Sequence, residues 1–205
     1  MATVRTISDF KSKLTGGGAR PNLFEVSIPN LPAAATTSTP AANLNDETFQ
    51  FLCKATNMPA SNVASIDVPF RGRIFKVAGD RTIDNWSVTV INDEGFELRN
   101  AFEAWMNAIA KLDNNTGATN PTSYMTDAFV TQLGRGGKDR FSTKNQGGKS
   151  ASALKTYKFV DIFPVNVSAI DLSYDSSDTI EEFTVEFAVQ SFESLATDAT
   201  GVALS

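Results

Sequence analysis

The sequence contains no histidine and one cysteine. The first absence excludes a Ser-His-Asp triad, an imidazole general base and a histidine-ligated zinc. The second excludes an intrachain disulfide and any CxxC metal or redox pair. Cys53 itself lies in "FQFLCKA", on the alternating face of Phe49 and Phe51, with no partner base beside it. A buried, inert thiol is the natural reading there. No apolar run approaches the ~20 residues that cross a bilayer, and the opening "MATVRTISDFKSK" lacks the apolar stretch of a secretory signal. These features predict a soluble chain made in the cytoplasm. Only carboxylates, lysines and hydroxyls are left for catalysis.

What is present points to strands. The 205 residues suffice for one sizeable domain, 41% are apolar and 15 are phenylalanine, a composition that suits an aromatic-rich β core. The net charge of −5 is unevenly spread. From Tyr157 onward nine acids face Lys158 alone, a net of −8, so residues 1–156 carry +3. Seven cations lie between Arg135 and Lys158 against only Asp139. A self-associating protein can use such polarity, one copy's basic loop meeting another's acidic face.

Residues 1–18, ending in "TGGGAR", read as a flexible N-terminal arm. "NLFEVSI" (22–28) and "ETFQFLCKAT" (47–56) alternate as strands, the latter with Phe49, Phe51, Cys53 and Ala55 on one side. Between them, 29–46 is an Ala/Thr/Pro insertion loop, and 134–153 is a Gly/Lys-rich one. "NMPASNVASIDVPFRGR" (57–73) reads as a long irregular loop, of the kind that is often functional. "IFKVAG" (74–79) and "NWSVTVI" (85–91) are strands joined by a turn at Gly79. From Glu94 to Leu112, Leu98, Phe102, Trp105, Ile109 and Leu112 recur every three or four residues. That spacing is an amphipathic helix, with Asp93 and Glu94 at its positive end; "DNNTG" stops it. "YKFVDIFPVNV" (157–167), "SAIDLSY" (168–174) and "TIEEFTVEFAVQSFE" (179–193) close the fold. The sum is a mainly β, single antiparallel β-sandwich or barrel domain of about seven strands over residues 1–205, with one flanking helix.

Four patterns invite a chemical reading. Asp80, Arg81 and Asp84 follow Gly79, and an ion-paired strand junction explains them without a substrate; a metal would want more converging oxygens. "TKNQGGKSA" (143–151) resembles the end of a phosphate-binding loop but has Thr143 where the first glycine belongs, and it lacks the preceding strand and following helix. The cations from Arg135 to Lys158, with Phe141 and Tyr157 among them, could touch nucleic acid, yet the chain as a whole is acidic, which favours docking to protein. Glu182 and Glu186 share a strand face but stand ~13 Å apart, beyond the ~5–9.5 Å of glycosidase carboxylates. With Thr184 and Gln190 they form a hydrophilic face without cations.

"ARPNLFEV" (19–26), "FQFLCKATNMPA" (49–60), "RIFKVAGDRTIDNWSVTVINDE" (73–94), "FEAW" (102–105) and "FPVNVSAIDLSYDSSDTIEEFTVEFAV" (163–189) together resemble the tail tube protein family of T-even-like contractile-tailed bacteriophages. The resemblance covers most of the chain; the 29–46 and 134–153 loops look longer than the family pattern. It implies a structural virion protein and no enzyme, with no cofactor and no membrane. Hexameric rings would stack helically inside a tail sheath, their sheets joining across subunits into a tube that conducts genomic DNA during ejection. Implied partners are other copies, the sheath protein, the baseplate initiator, the tail terminator, the tape measure protein, and DNA held without sequence preference. Pro59, Ser61, Asn62, Val63, Ile66 and Arg71 fall where the family has a loop reaching the adjacent ring. Glu182, Thr184, Glu186 and Gln190 become candidates for the lumen, where phosphates would meet no counter-charge. A tube subunit of a type VI secretion or phage-like bacteriocin system is the alternative within the fold. A carbohydrate-binding β-sandwich is the alternative outside it, and predicts a stable monomer with exposed aromatic rings.

Overall fold

Strict alternation in "WSVTVI" buries Trp86, Val88 and Val90 completely on one side of β5 (Trp86–Ile91), as a half-buried strand requires. In the computed structural model, which describes residues 6–14, 18–29, 31–32, 46–134, 152–175 and 178–195, this strand pairs antiparallel with β8 (Glu182–Ala188). Their register sets Trp86 opposite Phe187, Val88 opposite Val185 and Val90 opposite Phe183. The other strands are β1 (Phe24–Ser27), β2 (Cys53–Thr56), β6 (Thr126–Gly134), β7 (Ser152–Val167) and β9 (Ser191–Leu195). The sheet order is β1-β6-β7-β8-β5-β2, with β9 pairing β7 as a branch. β3 (Ser61–Phe70) and β4 (Arg73–Ile83) form a separate two-stranded sheet. The fold is mainly antiparallel β, as the alternation predicts.

The described residues divide into two compact units. One lies within Val26–Ala128 and Phe159–Phe192 and holds the aromatic core. Here the amphipathic helix, α3 (Glu97–Ile109), buries Leu98, Ala101, Phe102 and Trp105. Phe102 meets Phe183 and Phe187 edge-on, with centroids 6.3 and 5.9 Å away, and Trp86 stacks on Phe187 at 5.1 Å. Both indoles keep a polar partner, as buried Trp should: Trp86 Nε1 donates to Thr56 Oγ1 and Trp105 Nε1 to the Tyr124 carbonyl, each at 2.8 Å. The helix is shorter at both ends than its apolar spacing suggests. Phe96 takes a left-handed conformation (φ 53°) before it, and Leu112 lies beyond it at 98% exposure. Its exposed carbonyls are met by the returning loop, where the Ala118 N–H donates to the Ala108 carbonyl at 3.0 Å. A Cβ on Gly117 would stand 1.8 Å from the Ile109 carbonyl oxygen, so only glycine fits there.

The other unit lies within Met1–Glu25, Phe129–Lys158 and Glu193–Ser205. Gln132 Nε2 donates to the carbonyls of Arg20 and Leu23, and the Thr131 and Thr156 hydroxyls lie 3.1 Å apart. Within the arm expected to be unstructured, α1 (Ile7–Lys13) is helical and opens on a capping box. The Asp9 N–H donates to Thr6 Oγ1, and the Asp9 carboxylate accepts from the Thr6 N–H at 3.0 Å, which satisfies two of the helix's orphan donors. Those bonds hold the Asp9 carboxyl below its ordinary value.

Several sequence expectations are corrected. Residues 47–56 are not one strand: α2 (Asp46–Leu52) precedes β2. Phe49 is buried against Phe102 while Phe51 is 78% exposed. Phe49 and Cys53, four apart, fit a helical period as well as an alternating one, and a short apolar run cannot separate the two. Residues 168–174 form no strand; Leu172 and Tyr174 are exposed. The last long strand bends at Gln190 into β8 and β9. Apart from their ends, the 29–46 and 134–153 loops lie outside the described residues.

Candidate functional site: an exposed hairpin and a polar sheet face

The stretch 57–73, read from sequence as an irregular loop, is the first arm of a long hairpin. Arg71 (φ 44°) and Gly72 (φ 82°) both take positive φ between the paired residues Phe70 and Arg73. That is the two-residue turn whose twist matches flanking strands. Pro69, which argued against a strand, pairs with Ile74, one step from this closing pair. Antiparallel pairs alternate between bonded and non-bonded, so Pro69 sits where no inter-strand N–H is needed. Further down, Gly79 and Asp80 together oppose Ala64, between the pairs Ser65–Ala78 and Val63–Arg81. Gly79 therefore marks a bulge and not a turn. A Cβ there would stand 3.1 Å from the Ala64 carbonyl.

The register sorts the hairpin's side chains. Ile66, Val68 and Phe70 share one face with Val77, Phe75 and Arg73; Asp67 and Lys76 pair on the other, with N···O 4.0 Å. Every residue of β3 is exposed. On the apolar face Phe70 is 65% and Phe75 66% exposed. The hairpin's base is fastened by the Asp84 N–H donating to the Ala60 carbonyl at 3.2 Å and by Asn62 Nδ2 reaching both Asp84 carboxylate oxygens at 3.4 Å.

The residues expected to reach a neighbouring ring fall on this hairpin, with one exception. Ser61, Asn62, Val63 and Ile66 lie on β3 and Arg71 at its tip, with its guanidinium 5.6 Å over the Phe70 ring. Pro59 is instead buried before the hairpin and offers no surface. Asp80, Arg81 and Asp84 do not form the expected ion-paired junction. Asp80 and Arg81 lie within β4, Asp84 follows it, and none of the three pairs with an opposite charge among the described residues, whereas Lys54–Glu182, Asp67–Lys76 and Arg99–Glu103 do. The strand continues through the charges because the bulge absorbs Gly79.

The second surface is the face of β8 and β5 opposite the aromatic core. Glu182, Thr184 and Glu186 stand across from Ile91, Thr89 and Ser87. The Thr89 and Thr184 hydroxyls lie 3.2 Å apart, and Asn57 Oδ1 accepts the Ser87 N–H at 2.8 Å. Gln190 does not belong to this face, since it sits in the bend after β8. Nor is the face free of cations: Lys54 Nζ on β2 donates to Glu182 Oε1. Sequence alternation could place Glu182, but only the sheet order brings β2 beside β5 and Lys54 within reach of it.

Neither surface has the form of a reaction centre. Among the described residues, no three of Asp, Glu and Cys converge as metal ligands. Cys53 is buried, and desolvation pushes its thiol up to about 12, far from a reactive thiolate. No helix of the described residues is long and apolar enough to cross a membrane.

A model of the phage tail tube protein family matches residues 19–194. The chain belongs to the phage tail tube family. Tail tube protein gp19 of Enterobacteria phage T4 is 34% identical over 179 residues, covering 87% of this chain and 93% of that protein; gp19 of phage T6 gives the same figures. The tail tube protein of Serratia phage KSP90 is 24% identical, covering 88% and 92%. Among solved structures, a chain of an extracellular contractile injection system sheath–tube complex superposes with TM-score 0.57 at 14% identity, covering 90% of this chain and 97% of that one. The tube-terminating cap of the anti-feeding prophage superposes at 0.55, with 15% identity and 86% and 90% coverage. At such identities the likeness is one of fold.

Proposed function

We propose that this chain is the building block of the inner tube of a contractile phage tail, assembling as hexameric rings that stack into a hollow conduit for genomic DNA. Its role is structural and not catalytic, and its place is the virion, inside the sheath. The family match runs through both compact units, which supports treating residues 1–205 as one tail tube domain. One observation carries the reading: a hairpin of 10- and 11-residue strands whose apolar face none of the described residues covers. A two-stranded hairpin is marginal alone in water, and an apolar patch of this kind marks an interaction surface. Stacking of one ring on the next would cover it.

On this reading the face with Glu182, Thr184 and Glu186 lines the lumen. Its carboxylates give phosphates no counter-charge, while Lys54 offsets part of the charge at Glu182. The duplex would then slide without sequence preference. Sheath, baseplate initiator, tail terminator and tape measure proteins are the expected partners of such a tube. The fold likeness to injection-system tubes supports a second reading with another cargo, but the 34% identity is to phage tubes.

Electron microscopy of the purified protein should show rings or filaments. Phage carrying the double change Glu182→Lys and Glu186→Lys should build tails of normal length yet eject DNA slowly or not at all. Monomers at every concentration, even on a baseplate template, would defeat the assembly reading. Unchanged infectivity of the lysine variant would defeat the lumen assignment.

A further inference from the structure

The hairpin is not the only uncovered apolar surface. On α1, Ile7, Phe10 and Leu14 follow one another at three and four residues, and they are 81%, 66% and 45% exposed. That is a single apolar stripe on a helix of 7 residues, none of them buried. An isolated helix so short is unstable in water, capping box or not. The sequence therefore places a helical cap and an apolar stripe on a segment that none of the described residues buries.

We infer that α1 of one copy lies on the apolar hairpin face of a second copy; this rests on the assembly reading above and names the cover of that face. The dimensions agree. From Ile7 to Leu14 a helix advances ~10 Å, and from Ile66 to Phe70 a strand advances ~13 Å. The rims agree as well. Arg71 and Arg73 stand at the turn end of the hairpin and Asp80 at its bulge end. On α1, Asp9 is in the first turn and Lys11 and Lys13 are in the last. Opposite charges meet at both ends in only one direction, with Ile7 near Phe70 and Leu14 near Val77. The contact joins two different patches, so it is head-to-tail: each copy donates a helix and receives one, and the series extends without limit or closes as a ring.

Cysteine placement tests this without touching the core, and the buried Cys53, with its thiol near 12, stays out of the chemistry. Leu14→Cys protein is mixed with Val77→Cys protein, assembled and oxidised, and Ile7→Cys is mixed with Val77→Cys as the reversed pairing. The first mixture should give a disulfide-linked dimer of the two variants and the second should not. Phe10→Ser should raise the concentration needed for assembly about tenfold or more, and Phe10→Leu should restore it. Tubes that form normally with neither the link nor a Phe10→Ser defect would overturn the α1 contact and leave the assembly reading standing. A link formed within one chain carrying both cysteines at high dilution would overturn the second copy as the occupant. Failure of the unaltered protein to assemble would sink the assembly reading and this contact with it.

Discussion

The sheet of β5 and β8 under α3 and the hairpin of β3 and β4 are built from the same material, alternating apolar and polar residues in long strands. In the first, Trp86, Phe102, Phe183 and Phe187 are at or below 1% exposure; in the second, Phe70 and Phe75 keep about two thirds of theirs. The difference lies in the supply of a cover. α3 brings its apolar stripe back over the sheet through a short connection after β5, so the first face is satisfied within the molecule. Among the described residues no element does this for the hairpin. Apolar alternation therefore specifies that a face will be buried, and the order of elements decides whether the chain or another copy buries it.

This contrast can be broken from its stronger side first. Trp86→Ala removes the ring that stacks on Phe187 and donates to Thr56, and should cost the monomer about 3–5 kcal/mol in urea unfolding. Gly117→Ala forces a Cβ into the Ile109 carbonyl and should cost roughly 2–4 kcal/mol by opening the end of α3. Phe75→Ser should change monomer unfolding by less than about 1 kcal/mol, as exposed positions do, while abolishing sedimenting polymer. An equal loss of monomer stability from Phe75→Ser and Trp86→Ala would erase the distinction between the two faces. The smallest effect belongs to α1. The Asp9 carboxyl is held below its ordinary value of 3.8 by the Thr6 N–H and hydroxyl. Its capping contribution is therefore complete above that value and fades as pH falls through the lowered one. A nuclear magnetic resonance titration of the full chain should show the Asp9 carboxyl protonating below pH 3.8, and Thr6→Ala, which removes the hydroxyl but keeps the backbone donor, should bring it only part of the way back.

The same contrast explains what could be read from residues alone. β5, β8 and α3 were legible because one-sided burial within the chain writes a clean period into the sequence. The hairpin was not, because Pro69 and Gly79 interrupt its pattern. Both are allowed by circumstances the residue types do not disclose, a non-bonded pair and a bulge. A signal existed in "VPFRGRIFKV", where Arg71-Gly72 separates two alternating runs, but a two-residue turn is easier to accept with asparagine or aspartate before the glycine. The capping box of α1 was equally present in "TISD", three residues apart, and was overshadowed by the glycines after it. The polar face was found on β8 but not on β2, because neighbours 128 positions apart are set by sheet order and not by any local pattern.

Pro69 also has a bearing on growth. At its non-bonded position its ring nitrogen points away from β4, toward the outer edge of β3, where any strand laid alongside would find a missing donor. The outer edge of β4 contains no proline between Arg73 and Ile83 and offers a continuous row of donors and acceptors from the turn as far as the bulge at Gly79 and Asp80. The ribbon is thus adhesive along one flank and blunted near the tip of the other, which gives an assembling array a built-in sidedness before any second molecule arrives.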